Sequence, residues 1–188
     1  MQLIADERYL LAKAQAHEPA AFTALIQGYA LPVYRLAYRM LGNHEDAEDV
    51  QQETFIHAYH HLAAFRGEAA FGTWLYAIAA RQCLNWRRRR ACRPSTSAVD
   101  VERACSNRYW DDPEQQCLLD EEAERVQRVL AVMAPADRLL IILKYLEGLQ
   151  HEEIARVLHC SVESSRTRLT RAKKLFRARY EEAERSHG

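Results

Sequence analysis

The 188-residue chain has little of what marks a membrane protein, a secreted disulfide scaffold or a common enzyme. Its longest unbroken aliphatic run, Leu139 to Leu143, falls far short of the ~18 residues that cross a bilayer. Met1 to Glu7 has no basic segment leading into an apolar one, so neither a signal peptide nor direct membrane insertion is expected. The six glycines are scattered and form neither a G-x-x-x-x-G-K-[ST] phosphate loop nor a G-x-S-x-G nucleophile elbow. His151-Glu152 opens like the zinc motif H-E-x-x-H, but residue 155 is Ala. Cys83, Cys92, Cys105, Cys117 and Cys160 are odd in number and contain no C-x-x-C pair, which fits reduced thiols in a cytoplasmic protein. His57, His60 and His61 have no carboxylate or Cys at a matching spacing and read as a surface cluster. No catalytic residue, metal, cofactor or small-molecule substrate is expected.

Net charge is missing as well, with 26 Lys and Arg against 26 Asp and Glu. Taken whole, that balance argues against a nucleic-acid binder, whose footprint is basic. The zero hides a segregation. Residues 1–65 carry 4 basic and 8 acidic side chains, 66–93 carry 7 and 1, and 94–126 carry 3 and 9. Residues 127–165 carry 4 and 5, and 166–188 carry 8 and 3. Two strongly basic blocks thus lie on either side of an acidic one.

What is present is helical periodicity. Leu10, Leu11 and Ala14, then Phe22, Leu25 and Ile26, then Val33, Leu36, Ala37 and Met40 recur at three- and four-residue steps. Breaks are expected at Pro19, at Pro32 and at Gly42-Asn43. Val50, Phe55, Ala58, Tyr59 and Leu62 lead to a turn at Arg66-Gly67, and Trp74, Leu75, Ile78, Ala79 and Cys83 line a helix ending in Arg87–Arg90. From about Pro94 the periodicity fails in an acidic, Ser-containing stretch that reads as a flexible linker over 94–117. It resumes over 118–188 as a four-helix unit. The expected class is all-α: two small helical domains, 1–93 and 118–188, with a helix-turn-helix in the second.

That helix-turn-helix spans Gln150 to Tyr180. Ile154, Ala155 and Leu158 give the first helix its buried face, His159-Cys160-Ser161 makes the turn, and Ser161 caps the second helix. Val162, Leu169, Ala172 and Phe176 fall on one side of the second helix, with Arg and Lys over the rest. A second helix of this kind enters the major groove, where the planar fork of Arg bonds guanine O6 and N7 together. Lys and further Arg neutralise phosphates. A cationic helix C-terminus needs no ligand to explain it, but the acidic partners come only at Glu181, Glu182 and Glu184.

Asp46-Ala47-Glu48-Asp49-Val50-Gln51-Gln52-Glu53-Thr54-Phe55, followed by Phe65-Arg66-Gly67-Glu68-Ala69-Ala70-Phe71-Gly72-Thr73-Trp74-Leu75, resembles the polymerase-binding and promoter-melting domain of bacterial sigma factors. The likeness is to the small extracytoplasmic-function group. Tyr145-Leu146-Glu147-Gly148-Leu149, Glu152-Glu153-Ile154-Ala155 and Arg168-Leu169 with Arg171-Ala172 extend it to the second half. The resemblance implies that Asp49, Gln52 and Glu53 dock on the β′ clamp helices of core RNA polymerase, with the β flap as a second contact. It implies that the loop from Phe65 and Arg66 to Phe71 captures a flipped base of the −10 element. Arg81, Asn85, Trp86 and Arg88 would touch the same DNA, and Arg87–Arg90 its phosphates. Trp74 and Ile78 read as core. The resemblance carries −35 reading to Arg166, Thr167, Thr170 and Arg171, with Ser161, Ser164 and Lys173 at phosphates. Promoter DNA and an anti-sigma factor are the further partners implied.

Three positions depart from the family's pattern: His159 where a turn Gly is common, Ser165 where an apolar residue packs, and Gln150 in place of a Ser cap. The competing reading is a helix-turn-helix regulator that binds duplex DNA without being a polymerase subunit. It explains the C-terminal half but not Asp46 to Arg90.

Overall fold

The structure is a computed structural model that describes the backbone of residues 2–91 and 113–185 and the side chains of 7–90 and 122–185. All regular structure among the described residues is helical. The N-terminal unit is α1 (Gln2–Gln15), α2 (Pro19–Leu41), α3 (His44–His61), a 3₁₀ turn (Leu62–Ala64) and α4 (Phe71–Ala91). The C-terminal unit is α5 (Pro113–Val132), α6 (Pro135–Ile141) continuing into a π-helical turn (Ile142–Leu146), α7 (His151–Val157) and α8 (Val162–Arg185). Most of the expected linker, 94–112, lies outside the described residues. Its last five positions, 113–117, belong to α5, whose first residue is Pro113. Proline suits that place because its missing N–H would have no intrahelical partner anyway.

The expected stops at Pro19 and Gly42-Asn43 stand. Gly42 closes α2 at φ 76°, and the Asn43 side chain accepts from the Asp46 N–H at 3.1 Å to start α3. The expected break at Pro32 does not occur; α2 runs straight through it. An interior proline costs about 3 kcal/mol. The next turns offset it, because Val33, Leu36, Ala37 and Met40 are all fully buried. Gln51 of α3 also donates to the Ala30 carbonyl at 2.6 Å, tying α3 to α2 two residues before Pro32.

α2 is the central post, packed on α1, α3 and α4. In the C-terminal unit, Leu139, Leu140, Ile141, Ile142 and Leu143 are all buried as α6 gives way to the π turn. A run buried on every side of a helix must be covered from more than one direction, and α8 and α2 do this.

The two units therefore dock. The last carbonyls of a helix have no intrahelical partner and carry the negative end of its dipole. At the end of α2, the Met40 carbonyl accepts from Arg87 Nη1 of α4 at 3.0 Å and from Arg138 Nη1 of α6 at 2.7 Å. Gln127 Nε2 of α5 reaches the Tyr38 and Arg39 carbonyls at 3.3 and 3.4 Å. Arg138 is 1% exposed and also donates to the Ala131 and Met133 carbonyls. Burial, with Arg87 beside it, lowers its pKa to about 10, so it stays charged at neutral pH. Arg87, expected on DNA phosphates, is turned inward by this contact.

Around that centre, Tyr76 donates to Glu147 at 2.7 Å and Thr73 to Glu153 at 3.0 Å. Burial raises the Glu147 pKa, against the opposing effects of the Tyr76 hydrogen bond and of Arg39 and Arg35. A carboxylate raised in the native state stabilises it below the usual carboxylate range, and that stability is lost as pH rises through the raised value. Glu147→Gln keeps an acceptor for Tyr76 and has no charge to desolvate. In thermal melts between about pH 4 and about pH 7, the variant should gain on the wild type as pH rises. A constant difference across the series would show that burial does not set this carboxyl.

Candidate functional site

α3 presents two faces. Ala47, Val50, Thr54 and Ala58 are buried, at the three- and four-residue steps of one helix side. Asp49 and Gln52 are exposed and Glu53 is half-buried, on the opposite side. Ile56 continues that stripe and is 51% exposed. The sequence reading passed it over, although its seven-residue step from Asp49 was the available signal. An acidic and amide surface with one apolar side chain suits a protein partner bearing basic and apolar groups.

The loop between α3 and α4 is fixed from behind. Gln15 Nε2 of α1 donates to the Leu62 and Phe65 carbonyls at 3.2 and 2.8 Å, and Gly67 turns the chain at φ 72°. Phe65, Phe71 and Trp74 form a ring cluster with centroids 5.1–5.8 Å apart. Phe71 is only 2% exposed and packs edge-on against Tyr29, so it supports Phe65 and Trp74 and does not itself meet DNA. Phe65 is half-buried and Arg66 exposed. Trp74, expected in the core, packs partly buried against it and also lines the cleft beside the loop.

Arg81 and Arg88 are exposed and Asn85 is half-exposed, one helical face at steps of four and three. Trp86 is half-buried and its Nε1–H is enclosed without a partner, so its polar edge faces inward. Of the Arg run, Arg87 caps α2 and Arg90 pairs with Asp46 at 2.5 Å, while Arg88 and Arg89 are exposed. His57 and His61 stack at 4.3 Å, and no group of three metal-ligating side chains occurs among the described residues. The Cys83 thiol is buried and pushed up to about 12, which keeps it protonated and unreactive.

In the C-terminal unit α7 and α8 make the helix-turn-helix. Ser161 Oγ accepts from the Ser164 N–H at 3.1 Å, the expected cap. Arg166, Thr167, Thr170, Arg171 and Lys173 are all exposed on α8, opposite the buried Ser165, Leu169 and Ala172. Arg166 lies 3.7 Å from Glu152 and Arg171 3.9 Å from Asp137. The Arg166–Glu152 pair is exposed on both sides and is worth about 0–1 kcal/mol, so it yields readily to a stronger anion, whereas Asp137 is buried and only its Arg171 partner is exposed. Arg171 is 83% exposed at its side chain, and Lys173 lies over the Tyr145 ring.

Comparison with known families places this arrangement. The Sigma-70 region 2 family matches residues 25–92, and the Sigma-70, region 4 family matches 123–176. The RNA polymerase sigma-H factor of Pseudomonas aeruginosa is 33% identical over 174 residues, covering 89% of this chain and 90% of that one. The ECF RNA polymerase sigma-E factor of Escherichia coli is 34% identical over 173 residues, with the same coverage. The chain belongs to the extracytoplasmic-function sigma factors. Two solved structures share its fold: CnrH in complex with the cytosolic domain of CnrY (TM-score 0.69, 24% identity, 92% of this chain and 96% of that one) and RpoE of Bartonella quintana in complex with the anti-sigma factor NepR (TM-score 0.65, 17% identity, 85% and 96%).

The three departures of this sigma factor now have local accounts. His159 does occupy the left-handed region, at φ 49°, which His tolerates better than most side chains. Glu153 reaches back to the Gln150 N–H at 2.8 Å, so half of a capping box serves where a Ser cap is absent. Ser165 is fully buried and its hydroxyl has no hydrogen-bond partner. Burying an unpaired hydroxyl costs about 1–3 kcal/mol, so Ser165→Ala should raise the melting temperature by a few degrees. A lower melting temperature would show that the hydroxyl is bonded after all. Behind the loop, a Cβ on Gly72 would lie 2.8 Å from the Tyr29 ring, which Phe71 and the hydrogen bond to Glu7 hold in place. Gly72→Ala should therefore cost about 1–3 kcal/mol in denaturant unfolding.

Proposed function

We propose that this sigma factor binds core RNA polymerase, directs it to promoters with −35 and −10 elements, and helps open the DNA for initiation. The carrying observation is the order along one chain of three exposed surfaces of different chemistry. An acidic and amide stripe on α3 comes first, a propped aromatic loop leading to a basic α4 second, and a capped basic helix of a helix-turn-helix third. Asp49, Gln52 and Glu53 meet the polymerase β′ clamp helices, and the C-terminal unit meets the β flap. Phe65 and Arg66 take the extruded base, while Arg81, Asn85 and Arg88 hold the adjoining strand. Arg166, Thr167, Thr170 and Arg171 read the −35 element, and Ser161, Ser164 and Lys173 bind its phosphates. The domains run over 1–93 and 118–188, with α5 reaching back to Pro113.

The protein works by recruitment and strand opening, with no reaction of its own. No helix among the described residues is long and apolar enough to cross a membrane, and the cytoplasm, where polymerase acts, is its place. An anti-sigma factor is its expected inhibitor.

Run-off transcription with core polymerase on a promoter-fragment library tests the reading. Added sigma factor should produce transcripts that core alone does not, and their absence would overturn it. Asp49→Ala with Glu53→Ala should weaken core binding with helix content unchanged. Arg171→Ala should reduce −35 discrimination by roughly 1–3 kcal/mol, read as the affinity ratio between matched and mismatched duplexes.

A further inference from the structure

The end of α3 and the outer side of α4 gather basic side chains around a groove. His57, His60 and His61 of α3, with Gln82 and Arg89 of α4, line this open groove of about 480 Å³, and Glu53 and Ile56 complete the lining. Neither Arg89 nor the neighbouring Arg81 is in a salt bridge among the described residues.

The helix dipole favours cations in a last turn, which accounts for His60 and His61 but for nothing earlier. His57 stands a turn before the end, half-buried, with its Nδ1 enclosed and without a hydrogen-bond partner. Its ring stacks on that of His61, with centroids 4.3 Å apart. Burial lowers the His57 pKa, and His61, Arg81 and His60 lower it further, so at neutral pH it is an uncharged ring in a positive field. Such a field repels a metal ion and attracts an anion, although Glu53 sits at the groove as the one carboxylate in its lining. An anion that offsets the field lets the ring take up a proton, so proton and anion bind together.

The position of the groove selects the anion. Gln82 and Arg89 lie three residues before and four residues after Asn85, so the groove adjoins the helical face of Arg81, Asn85 and Arg88. A strand lying along that face carries a phosphate at every nucleotide, which brings one within reach of Arg89. We propose that the α3–α4 groove binds a backbone phosphate of DNA, held by Arg89 and Gln82 and by the protonated His57–His61 pair. The site rests on the function proposed above for its place beside the melted strand, yet its binding is measurable without polymerase.

The test is the affinity of the full chain for a labelled mixed-sequence duplex of about 30 base pairs, read by fluorescence anisotropy at about pH 8 and about pH 6, on either side of the ordinary imidazole value. Wild type should bind roughly 10-fold tighter at the lower pH, the linkage of one proton over about one pKa unit. His57→Gln with His61→Gln should cut that ratio to about 2-fold, the remainder belonging to His151 and His159 of the helix-turn-helix. Arg89→Gln should lower the slope of log affinity against log salt by about one. If the double variant loses helix content by circular dichroism, His61→Gln alone replaces it, with a smaller fall in the same direction. A ratio that the histidine variants leave unchanged would overturn the site. Inorganic phosphate, matched with chloride for ionic strength, should leave the wild-type ratio as it is; abolition of the ratio would overturn DNA as the ligand in favour of the free anion. A pH dependence found in core-polymerase binding and absent from duplex binding would overturn it in favour of an acidic protein surface. Proton-linked duplex binding as expected, with no promoter-dependent run-off transcript, would count against the proposed function and leave the phosphate site standing.

Discussion

The C-terminal turn of α2 is the constraint on which the docked molecule depends. A helix that ends inside a protein leaves carbonyls that water cannot reach, and each unsatisfied group costs a substantial part of a typical domain's stability. Here the donors come from three other helices: Arg87 from α4, Arg138 from α6 and Gln127 from α5. The first closes the N-terminal bundle on itself. The other two bring the C-terminal unit onto it. Arg138 is an expensive side chain to bury, and a hydrogen bond from such a charged group is worth about 1.5–3 kcal/mol. It is tolerated because the helix dipole and the converging carbonyls replace its water.

The same division between buried and exposed faces prepares the surfaces for partners. α3 and α8 each commit one side to the core and leave the other for polar groups, so their outward residues add nothing to packing and are available for recognition. The loop before α4 is different. It has little core of its own and is positioned by neighbours: Gln15 holds its carbonyls, and Phe71, with Gly72 pressed on Tyr29, holds its aromatic side. A loop fixed from behind holds Phe65 and Arg66 in place with little freedom left to lose.

Much of this was legible in the chain. Periodicity placed the helices, Gly42-Asn43 and Ser161 marked their ends, and the exposed face of α8 followed from where its apolar residues fell. The misreadings all yielded to tertiary packing. Pro32 was read by local propensity, and burial of the following turns overrode it. The family resemblance set Phe71 and Arg87 toward DNA, and the fold turned both inward. Ser165 and His159 were noted as departures, and the structure places each where the pattern demands an apolar residue and a left-handed one.

By itself, then, the sequence determined the helices, their exposed faces and the segregation of charge behind a net charge of zero, because these follow from spacing within one element. Only the tertiary structure decided which cations face solvent and which satisfy a helix end. It also decided that the two units dock with the loop before α4 and the turn between α7 and α8 on one cleft. Those outcomes depend on contacts such as Met40 with Arg138, 98 residues apart. No local pattern encodes such a pair, because a buried guanidinium and an exposed one are the same letter.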